Sequence, residues 1–415
     1  MKIEVIGLGY IGLPTAALLA SKGLEVHGSD IDDGIVQTIN EGSSPIVEPG
    51  LEKIISKVVN SGNLKASSDC KKADVFIITV QTPLSRDNLP DMSYVEKVAQ
   101  VISPLLEKGN LILLESTSPV GSTESLSHQL SLLRKDLRFP KSDSEEEADI
   151  NIAYCPERVM PGSTISELVS NSRIIGGISK DCARKASEFY NFFVEGECLK
   201  TNARTAELCK LSENAFRDVN IAFANELSII SEENDINVWE LIKLTNKHPR
   251  VEILQPGPGV GGHCLAVDPW FIVASNPRSS NLIKLARQVN NDKTDHIFKK
   301  IFEEIKKSGD PSTLSICLMG LSYKADSDDL RESPAIKLLE RILTLNLKSI
   351  NVIEPNIEDL PNSLASSNVI LTSLEEGIKN SAIIILLVGH NEFKDPYLKE
   401  MISGKILIDT VGLLD

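Results

Sequence analysis

Ile3-Glu4-Val5-Ile6-Gly7-Leu8-Gly9-Tyr10-Ile11-Gly12 decides the fold of this chain. A short apolar run ends in three glycines at Gly-x-Gly-x-x-Gly spacing, and a helical run from Thr15 to Ala20 opens just after them. In such a turn the first glycine permits a tight reversal, the second lets backbone approach a pyrophosphate, and the third lets helix pack on strand. The helix N-terminus then attracts phosphate charge. The glycines alone are a weak signal. Asp30 strengthens it, because it follows a second strand-like run at about the twenty-residue offset where an acid bonds both ribose hydroxyls and repels a 2′-phosphate. Gly7, Gly9, Tyr10, Ile11, Gly12 and Asp30 are therefore expected to hold NAD in preference to NADP.

Outward from this turn, apolar runs at 3–6, 25–28, 75–80, 111–114, 152–154 and 173–175 alternate with segments of helical period. A second series at 314–319, 350–353, 382–388 and 406–409 repeats the pattern. Such alternation predicts parallel sheets wrapped by helices. Between the series, positions 205 to about 234 read as one long helix whose apolar stripe is Leu208, Leu211, Ala215, Val219, Ala222 and Ile230. Lys210, Asn214 and Arg217 share another face of it. The expected fold class is α/β, with two doubly wound Rossmann-like domains joined by a long helix and a helical region. The expected domains span 1–200, 201–308 and 309–415. Positions 141–147, rich in Ser, Asp and Glu, read as an exposed loop.

With 43 basic and 58 acidic residues the formal charge is −15, which argues against nucleic acid or an anionic membrane as a general partner. No apolar run reaches the ~18 residues of a membrane span, and no signal-peptide pattern precedes the first strand, so a cytoplasmic location is expected. The seven cysteines are widely spaced and form no Cys-x-x-Cys pair, so neither a metal centre nor a redox dithiol is expected.

Most of those cysteines read as small core residues. Cys264 does not. It ends Gln255-Pro-Gly-Pro-Gly-Val-Gly-Gly-His-Cys264, a rigid glycine and proline loop suited to close approach of a ligand. Near the start of a helical turn, amide dipoles favour a thiolate, and Asp268 lies four residues on. Lys210, Asn214 and Arg217 taken alone read as a solvated helix face, but a buried cation and amide are what an alkoxide or thiohemiacetal oxyanion needs. Two further strand-like runs end at Thr82 and Thr117, at the carboxyl edge where open α/β sheets bind ligands. His263 has no assigned role.

These segments carry a resemblance. Gly7 to Gly12 with Asp30, Glu115-Ser-Thr-Ser-Pro-Val-Gly121, Tyr154-Cys-Pro-Glu-Arg-Val-Met-Pro-Gly162, Lys210-Leu-Ser-Glu-Asn214, Gly261-Gly-His-Cys264 and Leu330-Arg-Glu-Ser-Pro334 occur in the order found in the UDP-glucose/GDP-mannose dehydrogenase family, which the chain resembles nearly end to end. The resemblance implies NAD-dependent, four-electron oxidation of a sugar C6 hydroxyl to a carboxylate through a Cys264 thiohemiacetal and thioester. Lys210, Asn214, Asp268, Thr117 and Glu157 would assist, Thr82, Thr117 and Arg331 would contact the cofactor, and Glu157, Arg158, Val159, Lys210, Asn214, Arg250, Gly261, Tyr323 and Lys324 the substrate. It further implies that the middle region dimerises, that Arg250 enters the partner's site, and that the last domain holds the UDP-sugar. Many UDP-glucose members carry a second glutamate where this chain has Pro161. That change, with the stretches from Lys210 to Asn225 and from Asn246 to Phe271, points to a UDP-linked N-acetylated hexosamine for surface polysaccharide: UDP-N-acetylmannosamine, with UDP-N-acetylglucosamine the alternative. Two other classes compete: a two-electron hydroxyacid dehydrogenase, which lacks a second doubly wound domain, and a non-catalytic NAD sensor.

Overall fold

The computed structural model describes residues 1–142, 147–160, 162–364 and 366–414. Pro161 and the middle of the 141–147 stretch lie outside the described residues. The chain forms two compact units, Met1–Ser212 and Glu213–Asp415.

The first unit is built on a sheet of strands β1 (Lys2–Ile6), β2 (Glu25–Ser29), β3 (Leu64–Ser67), β4 (Val75–Ile78), β5 (Leu111–Leu114), β6 (Asn151–Tyr154), β7 (Arg173–Gly177) and β8 (Cys198–Asn202). Their order is β3-β2-β1-β4-β5-β6-β7-β8. Side chains alternate between its two faces: Ile3, Val5 and Ile77 enter one apolar core, Ile6, Phe76 and Ile78 the other. Burial of both faces explains why the central strands are unbroken apolar runs. The order reverses between β1 and β4, the switch point at which such sheets bind dinucleotides.

The expected parallel sheet needs one correction, since β6 and β7 pair antiparallel. Residues 155–160 past β6 form an irregular segment, and the helix that follows, Thr164–Ser170, has seven residues. At about 1.5 Å per residue it is too short to carry the chain back for a parallel re-entry. Strands β3 and β8 were also absent from the expected series. Both are edge strands with exposed positions, so neither shows an apolar run.

The helix Ala203–Glu233 runs out of the first unit into the second. In the second unit it is followed by helices Val238–Thr245, Asp268–Ser275 and Asn281–Ser308. A parallel sheet then forms from β9 (Ser315–Met319), β10 (Ser349–Ile353), β11 (Val369–Leu371), β12 (Ile383–Leu386) and β13 (Ile406–Asp409), in the order β11-β10-β9-β12-β13. Edge strand β11, three residues long, is the one the apolar pattern did not show.

The expected stripe on the long helix is also corrected. Leu211, Ala215 and Ala222 are buried as expected, but Leu208 and Ile230 are exposed, while Asn214, Asp218 and Asn225 are buried. The inward polar residues are satisfied by another helix: Arg287 and Asn290 donate to Asp218, and Asn225 donates to Asn290. Asn225 also accepts the Gly257 N–H, which ties down the loop leading to Cys264.

The two sheets share a hydrogen-bond plan. Gly7 N–H donates to Ser29 O and Leu8 N–H to the Asp30 carboxylate; Gly320 N–H donates to Ile353 O and Leu321 N–H to the Glu354 carboxylate. Glu354, however, is buried against His390, whose Nε2 lies 3.1 Å away. Burial pushes its carboxyl up, but His390 and the Leu321 and Ser322 amides outweigh that and bring it to about 2. Among the described residues no helix is long and apolar enough to cross a membrane.

Candidate active site

The turn after β1 is built for a close ligand. Gly7 sits at φ +92°, a conformation that favours glycine, and the Thr79 hydroxyl donates to its carbonyl at 2.7 Å. A Cβ on Gly12 would lie 1.8 Å from Gly7 O, so the helix Gly12–Ser21 packs against the turn with no side chain between. A Cβ on Gly9 would meet nothing within 4 Å, leaving open space beside the backbone. Asp30 accepts from Leu8 N–H at 2.7 Å and from Asp32 N–H at 3.0 Å, which fixes its carboxylate at the end of β2. Tyr10 is exposed and Ile11 half-buried at the mouth of the turn. An open helix N-terminus, a glycine without neighbours and an oriented carboxylate fit a dinucleotide.

Farther along the same sheet edge, the Thr82 hydroxyl donates to Thr117 O at 2.7 Å, tying the ends of β4 and β5 together. Glu157, past β6, is almost fully buried; its Oε1 accepts the Arg158 N–H and its Oε2 lies 2.7 Å from Arg173. Lys210 Nζ donates to the Glu157 carbonyl at 2.7 Å. Val159 packs against the core instead of facing solvent, and Arg158 Nη1 donates to Ser172 O. The first unit thus gathers Glu157, Arg158 and Lys210 into one hydrogen-bonded group.

The second unit gathers another. Cys264 is exposed. It opens a turn that leads into the helix beginning at Asp268, where Pro269 supplies a fixed φ in the first turn. The spacing makes the expected helical turn, because Asp268 N–H donates to Cys264 O at 2.8 Å. Asp268 is 2% exposed, and its Oδ2 accepts from Asn214 Nδ2 at 2.5 Å. The glycines before Cys264 are sterically required: a Cβ on Gly261 would lie 2.7 Å from Glu332 O, and one on Gly262 2.7 Å from the Tyr323 ring. Gly262 N–H donates to Arg331 O, so Tyr323 and Arg331 flank the cysteine loop. Lys324 Nζ stands 5.9 Å from the Tyr323 ring centroid.

Burial, then the Arg331 charge, pushes His263 down, which favours a neutral imidazole. Burial also pushes the Asp329 carboxyl up, but the Arg331 donors reverse this and leave it below the usual range. Arg250 is exposed in the second unit, where its N–H donates to His248 Nδ1. Asp326, His390 and Glu392 bring potential ligand atoms within 4.8 Å of one another, but His390 is already bonded to Glu354 and to Asp326 N–H.

Several buried groups escaped sequence reasoning: Glu115, Arg173 and Tyr190 beside Glu157, and Asp218, Arg287 and Asn290 beneath the cysteine loop. Glu115 stood within a quoted motif, but a lone carboxylate after a strand gives no sign of burial.

The glycine turn, the oriented acid and the doubly wound sheets define an NAD-binding oxidoreductase. The family models for the NAD-binding, central and UDP-binding domains of the UDP-glucose/GDP-mannose dehydrogenase family match residues 1–194, 204–292 and 317–415. The chain belongs to that family, and it is an NAD-dependent dehydrogenase of nucleotide sugars. It is 52% identical to UDP-N-acetyl-D-mannosamine dehydrogenase of Campylobacter jejuni over 97% of this chain and 98% of that protein. It is 49% identical to NDP-N-acetyl-D-galactosaminuronic acid dehydrogenase of Ralstonia nicotianae over 99% and 96%. The solved UDP-D-ManNAc dehydrogenase of Pyrococcus horikoshii superposes with a TM-score of 0.89 at 39% identity, covering 100% of this chain and 96% of that one.

Proposed function

We propose that the chain oxidises the C6 hydroxyl of UDP-N-acetyl-D-mannosamine to UDP-N-acetyl-D-mannosaminuronate for surface polysaccharide synthesis. The observation that carries the choice of sugar is the 52% identity, over nearly the whole chain, to a UDP-N-acetyl-D-mannosamine dehydrogenase. Pro161, in place of a second glutamate, agrees with an N-acetylated sugar.

Gly7, Gly9, Tyr10, Ile11, Gly12 and Asp30, with Thr82, Thr117 and Arg331, would hold NAD, which when bound supplies the hydride acceptor for both oxidations. Asp268 takes the C6 hydroxyl proton, directly or through water, as a hydride leaves C6. The Cys264 thiolate then adds to the aldehyde carbon, and Lys210 and Asn214, one turn apart on their helix, stabilise the thiohemiacetal oxygen. Loss of a second hydride from that carbon leaves a thioester on Cys264. Water positioned by Thr117 and Glu157 adds to the thioester carbonyl, and the thiolate leaves as the carboxylate forms. The resemblance assigns Arg158, Val159, Gly261, Tyr323 and Lys324 to contact with the substrate. Covalent capture keeps a reactive aldehyde from diffusing away between the two steps.

The test is a panel of UDP-N-acetylmannosamine, UDP-N-acetylglucosamine, UDP-N-acetylgalactosamine and UDP-glucose with NAD, following NADH and product mass. The expected result is two NADH per uronate, with UDP-N-acetylmannosamine giving the highest kcat/KM. A preference for UDP-N-acetylglucosamine would overturn the sugar and leave the chemistry. One NADH per substrate, with an aldehyde or ketone product, would overturn the chemistry.

We also propose a homodimer that works in the cytoplasm. Phe216, Phe223 and Ile230 recur every seven residues on the long helix and are 68%, 52% and 46% exposed, an apolar stripe of the kind that pairs helices. Leu244, Leu282 and Leu285 are exposed in the same unit. Among the described residues no cysteine pair forms a disulfide, which agrees with a reducing compartment. Replacing Phe216 and Phe223 together by Asp should yield a monomer by sedimentation equilibrium, with most activity lost because Arg250 no longer reaches a partner. A fully active monomer would exclude that role for Arg250, and an intact dimer would exclude the stripe.

A further inference from the structure

Three adjacent strands of the first unit deliver a buried charge cluster. Arg173 opens β7, Glu115 follows β5 and Glu157 lies past β6. The Arg173 side chain is 4% exposed; its Nη2 lies 2.7 Å from Glu157 Oε2 and its Nη1 3.9 Å from Glu115 Oε1. The Tyr190 hydroxyl donates to Glu115 Oε1 at 2.5 Å, and the Tyr190 ring stands 4.9 Å from the Arg173 guanidinium. Cys155 is buried beside them. Two carboxylates thus share one guanidinium where water does not screen them. A plain fastener between strands needs only one carboxylate, because an excess buried charge is costly. The excess sits beside the segment whose carbonyl takes Lys210.

We propose that Arg173 and Glu115 are positioning residues for the oxidation: the guanidinium, divided between two carboxylates, aims the Glu157 carboxylate and holds the main-chain carbonyl that orients Lys210. This rests on the roles proposed above for Glu157 and Lys210. The groups facing Glu115 are Arg173 from β7, Glu157 and Cys155 from the segment past β6, and Tyr190 from the helix Lys180–Tyr190. Burial pushes the Glu115 carboxyl up; Arg173 opposes this, Glu157 adds to it, Tyr190 opposes it, and the result is about 7. Burial carries Tyr190 and Cys155 upward, away from neutrality. Below neutrality Glu115 takes a proton and leaves Arg173 to Glu157 alone. Above it, the guanidinium is drawn toward both.

The test uses the full-length protein with NAD and its UDP-sugar. Glu115→Gln keeps an acceptor for the Tyr190 hydroxyl but cannot titrate, so an inflection of kcat near neutral pH should disappear while KM for NAD stays within twofold. Arg173→Lys replaces a bridging fork by a point charge, and kcat should fall at least ~10-fold with KM for NAD unchanged. If Arg173→Lys does not fold, the Glu115→Gln profile decides. Variants that melt earlier but keep wild-type kcat and pH profile would reduce the cluster to a fastener and overturn the proposal. Glu157→Gln is measured alongside: if it is impaired while the other two are normal, the positioning role alone fails. If Glu157→Gln is itself fully active, the reading of Glu157 fails and this inference with it.

Discussion

Cys264→Ser is expected to lower turnover to the uronate by at least ~10³-fold while leaving the first oxidation measurable. In the proposed mechanism a thiolate attacks, and a serine hydroxyl is not ionised near neutrality, so the covalent capture step is the one expected to stall. The substitution is nearly isosteric at an exposed position, so the fold should be unaffected. Mass analysis of a reaction with excess NAD should find aldehyde-level or enzyme-bound sugar at about the enzyme concentration and little free acid. Normal conversion to acid by Cys264→Ser would remove the nucleophile assignment and return the loop to a purely structural role. The loop's geometry makes that role a serious competitor, because Gly261 and Gly262 are sterically confined whether or not a thiolate follows them.

What was legible in the sequence was what depends on local pattern. The glycine turn and Asp30 could be read because three spacings and one acid suffice to specify a strand, a turn and a helix. The interior strands could be read because burial on both faces demands unbroken apolar residues, as in β4 and β5. Edge strands β3, β8 and β11 lack that demand and left no trace. On the long helix, periodicity ranked residues by type alone and so placed Leu208 and Ile230 inside and treated Asn214 as part of a polar face. Asn214, Asp218 and Asn225 join Leu211, Ala215 and Ala222 inside because each finds a partner from elsewhere in the chain, and a partner distant in sequence has no signature. The Arg173 cluster was hidden for the same reason: its charges come from three strand ends, and each alone resembles a solvated turn residue. Conversely, the order of Lys210, Asn214, Cys264 and Asp268 along the chain was available from resemblance, while the Asn214–Asp268 bond was not.

That bond carries the second large expectation. Asp268→Asn should lower kcat by about 10²–10⁴-fold, the range lost when a positioned general base is removed. Asp268 is 2% exposed, and a carboxylate withdrawn so far from water is retained at a cost unless it is bonded and used. The Asn214 amide supplies the bond at 2.5 Å and orients the carboxylate. Asn at 268 still offers a carbonyl oxygen to Asn214 Nδ2, so the local geometry survives while the base is lost; thermal stability should change little and KM for NAD not at all. Asn214→Ala should act through the same unit. It withdraws the donor, leaves Asp268 less well held, and removes one of the two groups proposed to stabilise the thiohemiacetal oxygen. Combined, the two substitutions should cost clearly less than the product of their separate effects, since part of the Asn214 effect runs through Asp268. Strict multiplicativity would mean that Asp268 and Asn214 act independently. A kcat within twofold of wild type for Asp268→Asn would mean that the proton leaves by another route and that Asp268 serves only to start its helix.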